Sequence, residues 1–332
     1  MLACFETAAL PTTTDEMRRH LLNFVVVGGG PTGIEFSAEL HDFIAQDLSR
    51  IYPELINFCQ ITVYDIAPEV LSMFDSRLGK IAMKSLSREG IRIKTSHHVE
   101  ELRRGVPSAG EHQEIKDDRT CWTLKTKEEG DTGVGMVVWS TGLMRNPFVE
   151  KALNKIYPLL KDNVDYVKVD LSKASEINWM IRKDRKTGSI ITNDKLQVIL
   201  EPQGEGQEEP RAILKDVYAL GDCAMIEGTT FPATAQVASQ KAEWLGKRLN
   251  KDDIEQQGFK WKNMGVMAYI GSSNAIFQSG RGREVSGPLA WLIWRGAYLT
   301  KTVSWRNKIL VPIMWVLNSV FGRDISRKYP GG

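Results

Sequence analysis

Apolar and polar positions in the first ninety residues follow a pattern that predicts strands and helices in turn. Residues 24–27 form a short apolar run that ends at a glycine cluster, as a buried parallel strand does. Helical spacing follows over 34–49, and 60–64 alternates as a second strand. A helix over 76–89 and a strand over 91–94 complete a β-α-β-α-β order, which predicts half of a doubly wound α/β fold.

The later part of the chain carries the same kinds of signal. The pattern predicts a strand over 137–139, a buried strand over 217–220 and a long helix over 233–249. Two more helices are predicted over 289–300 and 305–321. The two predicted strands each end in a polar turn, where functional groups of α/β folds are commonly found.

Composition excludes some functions and reveals an asymmetry of charge. The net charge of +2 gives no reason to expect nucleic acid as a partner. The longest apolar run, 309–317, has nine residues and is far shorter than the ~20 needed to span a bilayer. The four cysteines are scattered without a CxxC pair, so no zinc site is predicted and no metal ligand is assigned. Residues 287–332 contain one acid, Asp324, and seven basic residues: Arg295, Lys301, Arg306, Lys308, Arg323, Arg327 and Lys328.

A glycine-rich turn joins the first predicted strand to the first predicted helix. Gly28, Gly30 and Gly33 form a GxGxxG pattern that also includes Pro31 and Thr32. The first glycine permits a tight turn, the second lets the backbone approach a pyrophosphate, and the third lets helix and strand pack closely. The first helical turn then directs its N–H groups at the phosphates. This pattern predicts an NAD(H) site, and a purely structural glycine turn is the alternative.

Two carboxylates accompany the glycine turn. Asp65 ends the second predicted strand, 32 residues after Gly33, where the usual spacing is about 20. A carboxylate there accepts hydrogen bonds from both ribose hydroxyls and repels a 2′-phosphate, which predicts NADH rather than NADPH; the alternative is a surface aspartate. Glu35 is predicted in the first helical turn, where it either interacts with the helix dipole or contacts the nicotinamide.

Ordered segments along nearly the whole chain carry a family resemblance. They are 28–40, 65–74, 139–142, 218–222, 232–240, 262–265, 269–272 and the tryptophan-rich tail. Together they resemble the type II NADH dehydrogenases, the single-subunit, non-proton-pumping NADH:quinone oxidoreductases, and are similar to the mitochondrial enzymes of fungi and plants. The resemblance implies that hydride passes from NADH to FAD and that two electrons then pass to ubiquinone. Thr141 and Gly142 match the turn against which the nicotinamide cofactor rests.

The resemblance also assigns residues in the second half of the chain. Asp222 matches the acid that binds the ribityl chain of FAD, with Gly221 allowing close approach; a helix N-cap is the alternative for Asp222. Gln236 and Ala235 match residues beside the isoalloxazine ring, where the quinone is expected to approach. Gln236 is equally explained as an ordinary polar helix residue. Gln236 and Glu35 are therefore the candidate catalytic residues.

The implied fold is an α/β flavoprotein with two dinucleotide-binding domains and C-terminal amphipathic helices. Residues 1–22 are predicted to be a crossover from the FAD domain, and 23–145 to be a Rossmann-like NADH domain inserted in it. Residues 146–285 are predicted to be the C-terminal half of the FAD domain. No second glycine fingerprint occurs in 1–22. The chain is therefore expected to lack the N-terminal FAD-binding segment, to bind FAD weakly or not at all by itself, and to expose an unpaired sheet edge.

The tail, 286–332, is predicted to lie on a membrane surface. It contains four of the nine tryptophans beside the basic residues, and amphipathic rings with cations suit the headgroup boundary. The implied location is peripheral, on the mitochondrial inner membrane. A core helix pair or a dimer interface is the alternative, and a homodimer stays open.

Two other functions stay open. A soluble flavin disulfide reductase shares both dinucleotide-binding units, but that class ends in a dimerisation domain with a catalytic His-Pro pair. None of the five histidines in this chain is followed by proline. A non-enzymatic NADH-binding remnant follows from the missing FAD fingerprint, and flavin content separates it from the enzyme.

Overall fold

The computed structural model describes residues 1–107, 121–142, 144, 146–151, 153, 164–168, 177–203, 211–302 and 304–325. The chain forms two compact units. The first consists of Met1–Thr141 with Gly265–Gly332, and the second of Gly142–Met264. The basic residues Arg327 and Lys328 of the tail lie outside the described residues.

Helices and strands alternate in about the first ninety residues, and runs of consecutive strands make up much of the remaining described chain. The helices, in chain order, are α1 (Leu2–Ala8), α2 (Asp15–Leu21), α3 (Pro31–Phe43), α4 (Ser49–Ile51), α5 (Ser76–Arg88), α6 (Pro147–Lys151), α7 (Ala235–Lys251), α8 (Pro288–Lys301) and α9 (Trp305–Phe321). The strands are β1 (Asn23–Val27), β2 (Gln60–Tyr64), β3 (Arg92–Lys94), β4 (Val99–Arg104), β5 (Trp122–Thr126), β6 (Gly130–Val134), β7 (Met136–Trp139), β8 (Val164–Val167), β9 (Trp179–Ile181), β10 (Ile190–Thr192), β11 (Gln197–Pro202), β12 (Arg211–Tyr218), β13 (Ala224–Ile226), β14 (Val266–Tyr269), β15 (Ala275–Gln278) and β16 (Glu284–Gly287). A π-helical segment, Ile44–Leu48, follows α3, and 3-10 helices occupy Pro53–Phe58 and Ile254–Gln256.

A four-stranded parallel sheet, in the order β3-β2-β1-β7, forms the centre of the first unit. Strand β1 lies between β2 and β7, with Val25 paired to Thr62 on one side and Val137 on the other. The strand order therefore reverses at β1, and in open parallel sheets the crevice at such a reversal is where ligands bind. The predicted doubly wound α/β fold is confirmed.

The two faces of β1 are both covered, which explains why its sequence is continuously apolar. Phe24 and Val26 pack in the larger core of the unit, together with residues of α3 and α5. Val25 and Val27 point the other way and pack against Leu124, in a smaller core formed with the antiparallel sheet β4-β5-β6. The strand is thereby fixed on both sides, and the glycine turn that follows it begins from a rigid position.

The first helix after the glycine turn differs from the single helix predicted over 34–49. It starts earlier, at Pro31, and changes at Ile44 into a π-helical segment that contains Asp47. The Asp47 carboxylate accepts hydrogen bonds from the Arg323 backbone N–H at 3.1 Å and from its guanidinium at 2.9 Å. The guanidinium also lies 5.7 Å from the ring centroid of Phe43. The end of the described chain is thus fastened to the helical segments that follow the glycine turn, a contact that the sequence pattern did not indicate.

Residues 265–325 complete the first unit. The antiparallel sheet β14-β15-β16 contributes Ala268, Tyr269 and Ile276 to the same core as β1. The predicted helices over 289–300 and 305–321 are confirmed as α8 and α9. Within the described residues, no helix is long and apolar enough to cross a membrane. The predicted domain boundaries stay a prediction.

The second unit is built on a sheet in the order β13-β10-β11-β12-β8, with β9 paired to β11. The buried strand predicted over 217–220 was placed wrongly, because β12 runs from Arg211 to Tyr218 and Val217 is 42% exposed. Ile213 and Tyr218 of β12 pair with Ile199 and Gln197 of β11. The two residues of β12 are five positions apart and their partners only two, so the stretch between them is not regularly paired. An apolar residue in this irregular stretch therefore faces solvent.

Candidate functional site

The glycine turn after β1 is closed on one side by the turn after β7. Gly28 has a left-handed φ of +118°, and a Cβ atom there would lie 2.6 Å from Cγ2 of Thr141. At Gly33 a Cβ atom would lie 1.9 Å from the carbonyl oxygen of Gly28. Both positions consequently exclude any side chain, as the predicted roles of the first and third glycines require.

Ser140 secures this closure. Its hydroxyl donates to the carbonyl oxygens of Val27 at 2.9 Å and Gly28 at 3.3 Å. Thr141, which follows, is exposed beside the turn, and Gly142, the first residue of the second unit, is also exposed. Ser140 was not among the predicted site residues, and its hydrogen bonds give it a positioning role that only the fold reveals.

Gly30 is open to solvent where the other two glycines are closed. A Cβ atom at Gly30 would meet nothing within 4 Å among the described residues, and its φ of −72° is one that any residue adopts. Gly30 caps α3 without a side-chain hydrogen bond, and Pro31 occupies the first helical position. Thr32 is exposed at the same end. The free space and the unpaired N–H groups of a helix start form the arrangement that receives a pyrophosphate.

The Asp65 carboxylate is fixed by the backbone around the turn. Its Oδ2 accepts the N–H of Gly29 at 2.5 Å, and its Oδ1 accepts the N–H of Ala67 at 2.7 Å. Each of these two bonds uses one lone pair of its oxygen, so each oxygen retains acceptor capacity for a hydroxyl group. The structure thus brings Asp65 to the glycine turn, and the two are linked by Gly29, to which the sequence pattern assigned no role.

Glu35 lies outside the first helical turn, because α3 starts at Pro31. The helix-dipole explanation for this residue is therefore wrong, since that effect fades beyond the first turn. Instead, its Oε1 accepts the backbone N–H of Tyr269 at 3.1 Å and the indole N–H of Trp294 at 3.2 Å. Burial raises the pKa of Glu35, although these two donors act in the opposite direction. Its Oε2 takes part in neither bond, and the nicotinamide contact stays a prediction.

The remaining predicted residues lie in the second unit. Gly221 and Asp222 form the turn between β12 and β13, and Asp222 is exposed. Because a strand follows rather than a helix, the helix N-cap alternative for Asp222 is wrong. Within the described residues, its carboxylate has no hydrogen-bond or ion-pair partner. A side chain at Gly221 would first meet Cβ of Ala238, at 4.0 Å.

Ala235 and Gln236 are the first two residues of α7. The Gln236 Oε1 accepts the backbone N–H of Met264 at 3.0 Å. One turn later, Gln240 makes two hydrogen bonds with the backbone of Lys262, at 2.9 and 3.0 Å. Gln236 therefore helps to hold segment 262–264 against the helix. Neither of the two roles predicted for Gln236, a flavin contact or an ordinary polar helix position, included this contact. Its contact with flavin or quinone stays a prediction.

Comparisons with known proteins agree with this geometry. The model of the pyridine nucleotide-disulphide oxidoreductases matches residues 3–171, and that of the NDH2 C-terminal domain matches residues 263–324. A probable NADH dehydrogenase of Dictyostelium discoideum is 33% identical, covering 98% of this chain and 60% of its own length. An internal alternative NAD(P)H-ubiquinone oxidoreductase A1, mitochondrial, of Solanum tuberosum is 33% identical, with 96% and 56% covered. This chain thus spans about 60% of the length of these relatives.

A solved structure shares the fold. The structure of NDH2 from Plasmodium falciparum in complex with NADH superimposes with a TM-score of 0.70 at 19% identity, covering 98% of this chain and 71% of that one. The parallel sheet with its glycine turn and the C-terminal helices lie within the matched length. By these matches, the chain belongs to the pyridine nucleotide-disulphide oxidoreductase family, in its type II NADH dehydrogenase (NDH2) branch.

Proposed function

We propose that this chain acts in a flavin-dependent, non-electrogenic NADH:ubiquinone oxidoreductase. The observation that carries the proposal is the open backbone at Gly30, at the start of α3, with the Asp65 carboxylate fixed beside the same turn. The names of the relatives, NADH dehydrogenase and NAD(P)H-ubiquinone oxidoreductase, support the donor and the acceptor.

NADH binds through the backbone and one carboxylate. The pyrophosphate lies over Gly30, where no side chain blocks its approach, and accepts hydrogen bonds from the first N–H groups of α3. Asp65 accepts hydrogen bonds from the ribose hydroxyls. A 2′-phosphate would meet this charge at close range, so NADH is preferred to NADPH. Thr141 and Gly142, which are both exposed, are assigned to the nicotinamide half.

The residues of the second unit fit FAD. An exposed carboxylate without a partner among the described residues suits the ribityl hydroxyls, and this is what Asp222 offers. Gly221 leaves room for close approach. FAD held by these residues would supply the two-electron redox chemistry between NADH and the quinone. Ala235 and Gln236 stand at the start of α7 and position the ring, while Glu35 lies at the nicotinamide.

The first experiment measures flavin content and reduction. The chain is purified in mild detergent with added FAD, then given NADH without oxygen and a short-chain ubiquinone afterwards. The added FAD is kept in excess, because this chain is expected to bind it weakly by itself. Under this excess we expect NADH to remove the flavin absorbance and the quinone to restore it. Asp222→Asn should lose flavin and keep NADH binding, whereas the control Asp252→Asn, at an exposed left-handed helix cap that asparagine also tolerates, should keep both. NADH binding without flavin would favour the non-enzymatic remnant and contradict the proposal.

We also propose that α8 and α9 hold the protein peripherally on the mitochondrial inner membrane. No residue of α9 is buried, and nine of its large apolar side chains are exposed: Trp305, Ile309, Leu310, Ile313, Met314, Val316, Leu317, Val320 and Phe321. A continuous apolar surface of this kind is rare on monomeric proteins and marks an interaction site. The relatives named mitochondrial support the compartment.

Cations lie over the aromatic rings of this surface. The Arg295 guanidinium lies 4.1 Å from the Trp291 ring and 4.5 Å from the Trp315 ring, and the Lys308 ammonium lies 4.9 Å from the Trp305 ring. Basic residues near an anionic leaflet each add roughly 1 kcal/mol to binding. The mixture of apolar side chains, indoles and cations favours a lipid surface over a purely apolar protein partner.

Vesicle co-sedimentation tests the membrane proposal. Ile313→Glu and Val316→Glu should abolish binding to anionic vesicles without loss of stability, because both side chains are exposed. Leu249→Glu, on an exposed side chain of α7, is the matched control and should bind normally. The proposal would be contradicted if the unsubstituted chain did not bind vesicles and formed a homodimer that the same two substitutions dissociate. The exposed surface of α9 would then be a dimer interface.

A further inference from the structure

Three ionisable side chains from distant parts of the sequence meet within the first unit. His41 and Asp42 lie on α3, and Glu89 follows the last residue of α5. The Nδ1 atom of His41 is 3.7 Å from Oδ1 of Asp42 and 3.7 Å from Oε2 of Glu89. One ligand atom from each residue lies within 4.8 Å of the others. The three groups therefore surround one small volume.

Two atoms of this cluster are buried without a hydrogen bond. Nδ1 of His41 and Oε2 of Glu89 have almost no solvent contact, and neither has a hydrogen-bond partner among the described residues. Their separation of 3.7 Å is too long for a hydrogen bond between them. Buried polar atoms in folded proteins nearly always have a partner, and an ordered water or an ion takes that place when the protein supplies none.

The third group, Asp42, is held in place by its neighbours. The Asp42 side chain is 4% exposed, and its Oδ2 accepts the Tyr269 hydroxyl at 2.5 Å. Both carboxylate oxygens also lie 3.2 Å from the Ser272 backbone N–H. These donors orient the carboxylate before any ion arrives, and outer hydrogen bonds of this kind are typical of metal ligands.

The turn between β14 and β15 closes over the cluster in an unusual conformation. Gly271, Ser272 and Ser273 have consecutive positive φ values of 90°, 47° and 59°. A Cβ atom at Gly271 would lie 2.4 Å from Oε2 of Glu89, so the main chain approaches that oxygen as closely as glycine allows. Left-handed conformations at two successive serines persist only where the surroundings enforce them.

We propose that His41, Asp42 and Glu89 form a binding site for a divalent transition-metal ion of the zinc class. In tetrahedral zinc sites the ligand atoms lie about 2.1 Å from the metal and hence about 3.4 Å from one another. The two separations from Nδ1 of His41, 3.7 Å each, need a shift of a few tenths of an ångström. All three ligand atoms lie within 4.8 Å of one another, so the two carboxylate oxygens also move towards each other when the ion binds.

The donor set and its charge select the class of ion. One imidazole nitrogen with two carboxylate oxygens suits zinc and its neighbours, whereas calcium and magnesium take oxygen ligands alone. The two carboxylates balance the charge of a dication when the imidazole is neutral. Three protein ligands leave a fourth position for water. The bound ion joins the nucleotide-binding helix to α5 and to the C-terminal turn.

Cobalt binding tests this site, because tetrahedral Co²⁺ absorbs visible light and Zn²⁺ does not. The full chain, treated with a chelator and then freed of it, is titrated with Co²⁺. We expect one equivalent to bind with visible bands, and Zn²⁺ to displace it. His41→Asn and Glu89→Gln should each weaken binding by at least about tenfold. His98→Asn is the matched control, since His98 pairs with Glu128 at 2.8 Å in the same unit, and should bind as the unsubstituted chain does.

Three results would overturn the proposal. They are no Co²⁺ binding, binding that His41→Asn and Glu89→Gln leave intact, and binding that His98→Asn removes equally. X-ray absorption of the zinc-loaded unsubstituted chain covers the case in which the variants do not fold. One imidazole among nitrogen and oxygen ligands is the expected spectrum, whereas sulfur in the metal's coordination sphere would assign the ion to a cysteine and contradict the site.

Discussion

Replacing Gly30 by alanine should separate nucleotide binding from folding. The added methyl group meets no atom of the described residues within 4 Å, and the backbone conformation suits alanine, so the free energy of unfolding should change by no more than about 1 kcal/mol. The same methyl group occupies the space through which the pyrophosphate reaches the helix start. Loss of one charge-assisted hydrogen bond costs about 1.5–3 kcal/mol, so the Kd for NADH should rise roughly 10- to 100-fold.

Gly33→Ala, unlike Gly30→Ala, should mainly lower the free energy of unfolding. Its methyl group would lie 1.9 Å from the carbonyl oxygen of Gly28 and 2.6 Å from Oγ of Ser140, and the first of these atoms belongs to the backbone. The turn must shift, which costs about 1–3 kcal/mol or more. Gly246→Ala serves as the control, because a Cβ atom at this position in α7 would meet no described residue within 4 Å. It should leave the Kd for NADH unchanged while adding up to about 1 kcal/mol of stability.

NADH titration by fluorescence and urea unfolding measure the two quantities on all three variants. An unchanged Kd in Gly30→Ala would refute the assignment of this backbone position to the pyrophosphate. Unchanged stability in Gly33→Ala would refute the close packing of the turn. The pair of variants thus tests the binding role and the structural role separately.

Three further predictions concern carboxylates and their partners. Asp65→Asn removes the charge that repels a 2′-phosphate, so the preference for NADH over NADPH should fall by about tenfold or more, and an unchanged ratio of the two Kd values would contradict the role of Asp65. Tyr269→Phe leaves the buried Asp42 with one donor fewer and should cost about 1.5–3 kcal/mol in urea unfolding. Tyr218→Phe, whose hydroxyl donates to a backbone carbonyl in an exposed hydrogen bond, should cost less, and equal costs would count against the Asp42 contact. Burial raises the pKa of Glu35 above 4.5, so the folded state binds more protons than the unfolded state just above that pH, and this residue lowers stability as pH rises. Glu35→Gln should therefore gain stability relative to the unsubstituted chain as the pH rises above 4.5; a difference independent of pH would show that the carboxyl group is not perturbed.

The elements around the nucleotide site were predictable because their signals are local. Strands β1 and β2 and helices α8 and α9 follow the predicted ranges closely, since an apolar run bounded by glycines and a helical repeat are both complete within a dozen residues. The roles of Gly28 and Gly33 were also predictable, because a tight turn and close packing depend on neighbours in the same motif.

The surroundings of Glu35 and Gln236 were not predictable from the sequence. The hydrogen-bond partners of Glu35, Tyr269 and Trp294, are 234 and 259 positions away in the sequence. The partner of Gln236, Met264, is 28 positions away. No spacing rule connects such pairs, because the fold decides which segments meet. The start of α3 at Pro31 had a similar effect, since a shift of three residues from the predicted start moved Glu35 out of the first turn and removed the helix-dipole explanation.

The contacts that hold α9 in place affect the entropy of any association through its exposed apolar surface. The helix is attached near its middle, where Arg295 stacks between Trp291 of α8 and Trp315 of α9, and just beyond its end, where Arg323 binds Asp47. A helix that is ordered only on binding would lose conformational entropy at that moment. Helix α9 is already formed and fastened in the free chain, so an association through it would lose little conformational entropy and more of the hydrophobic free energy would appear as affinity.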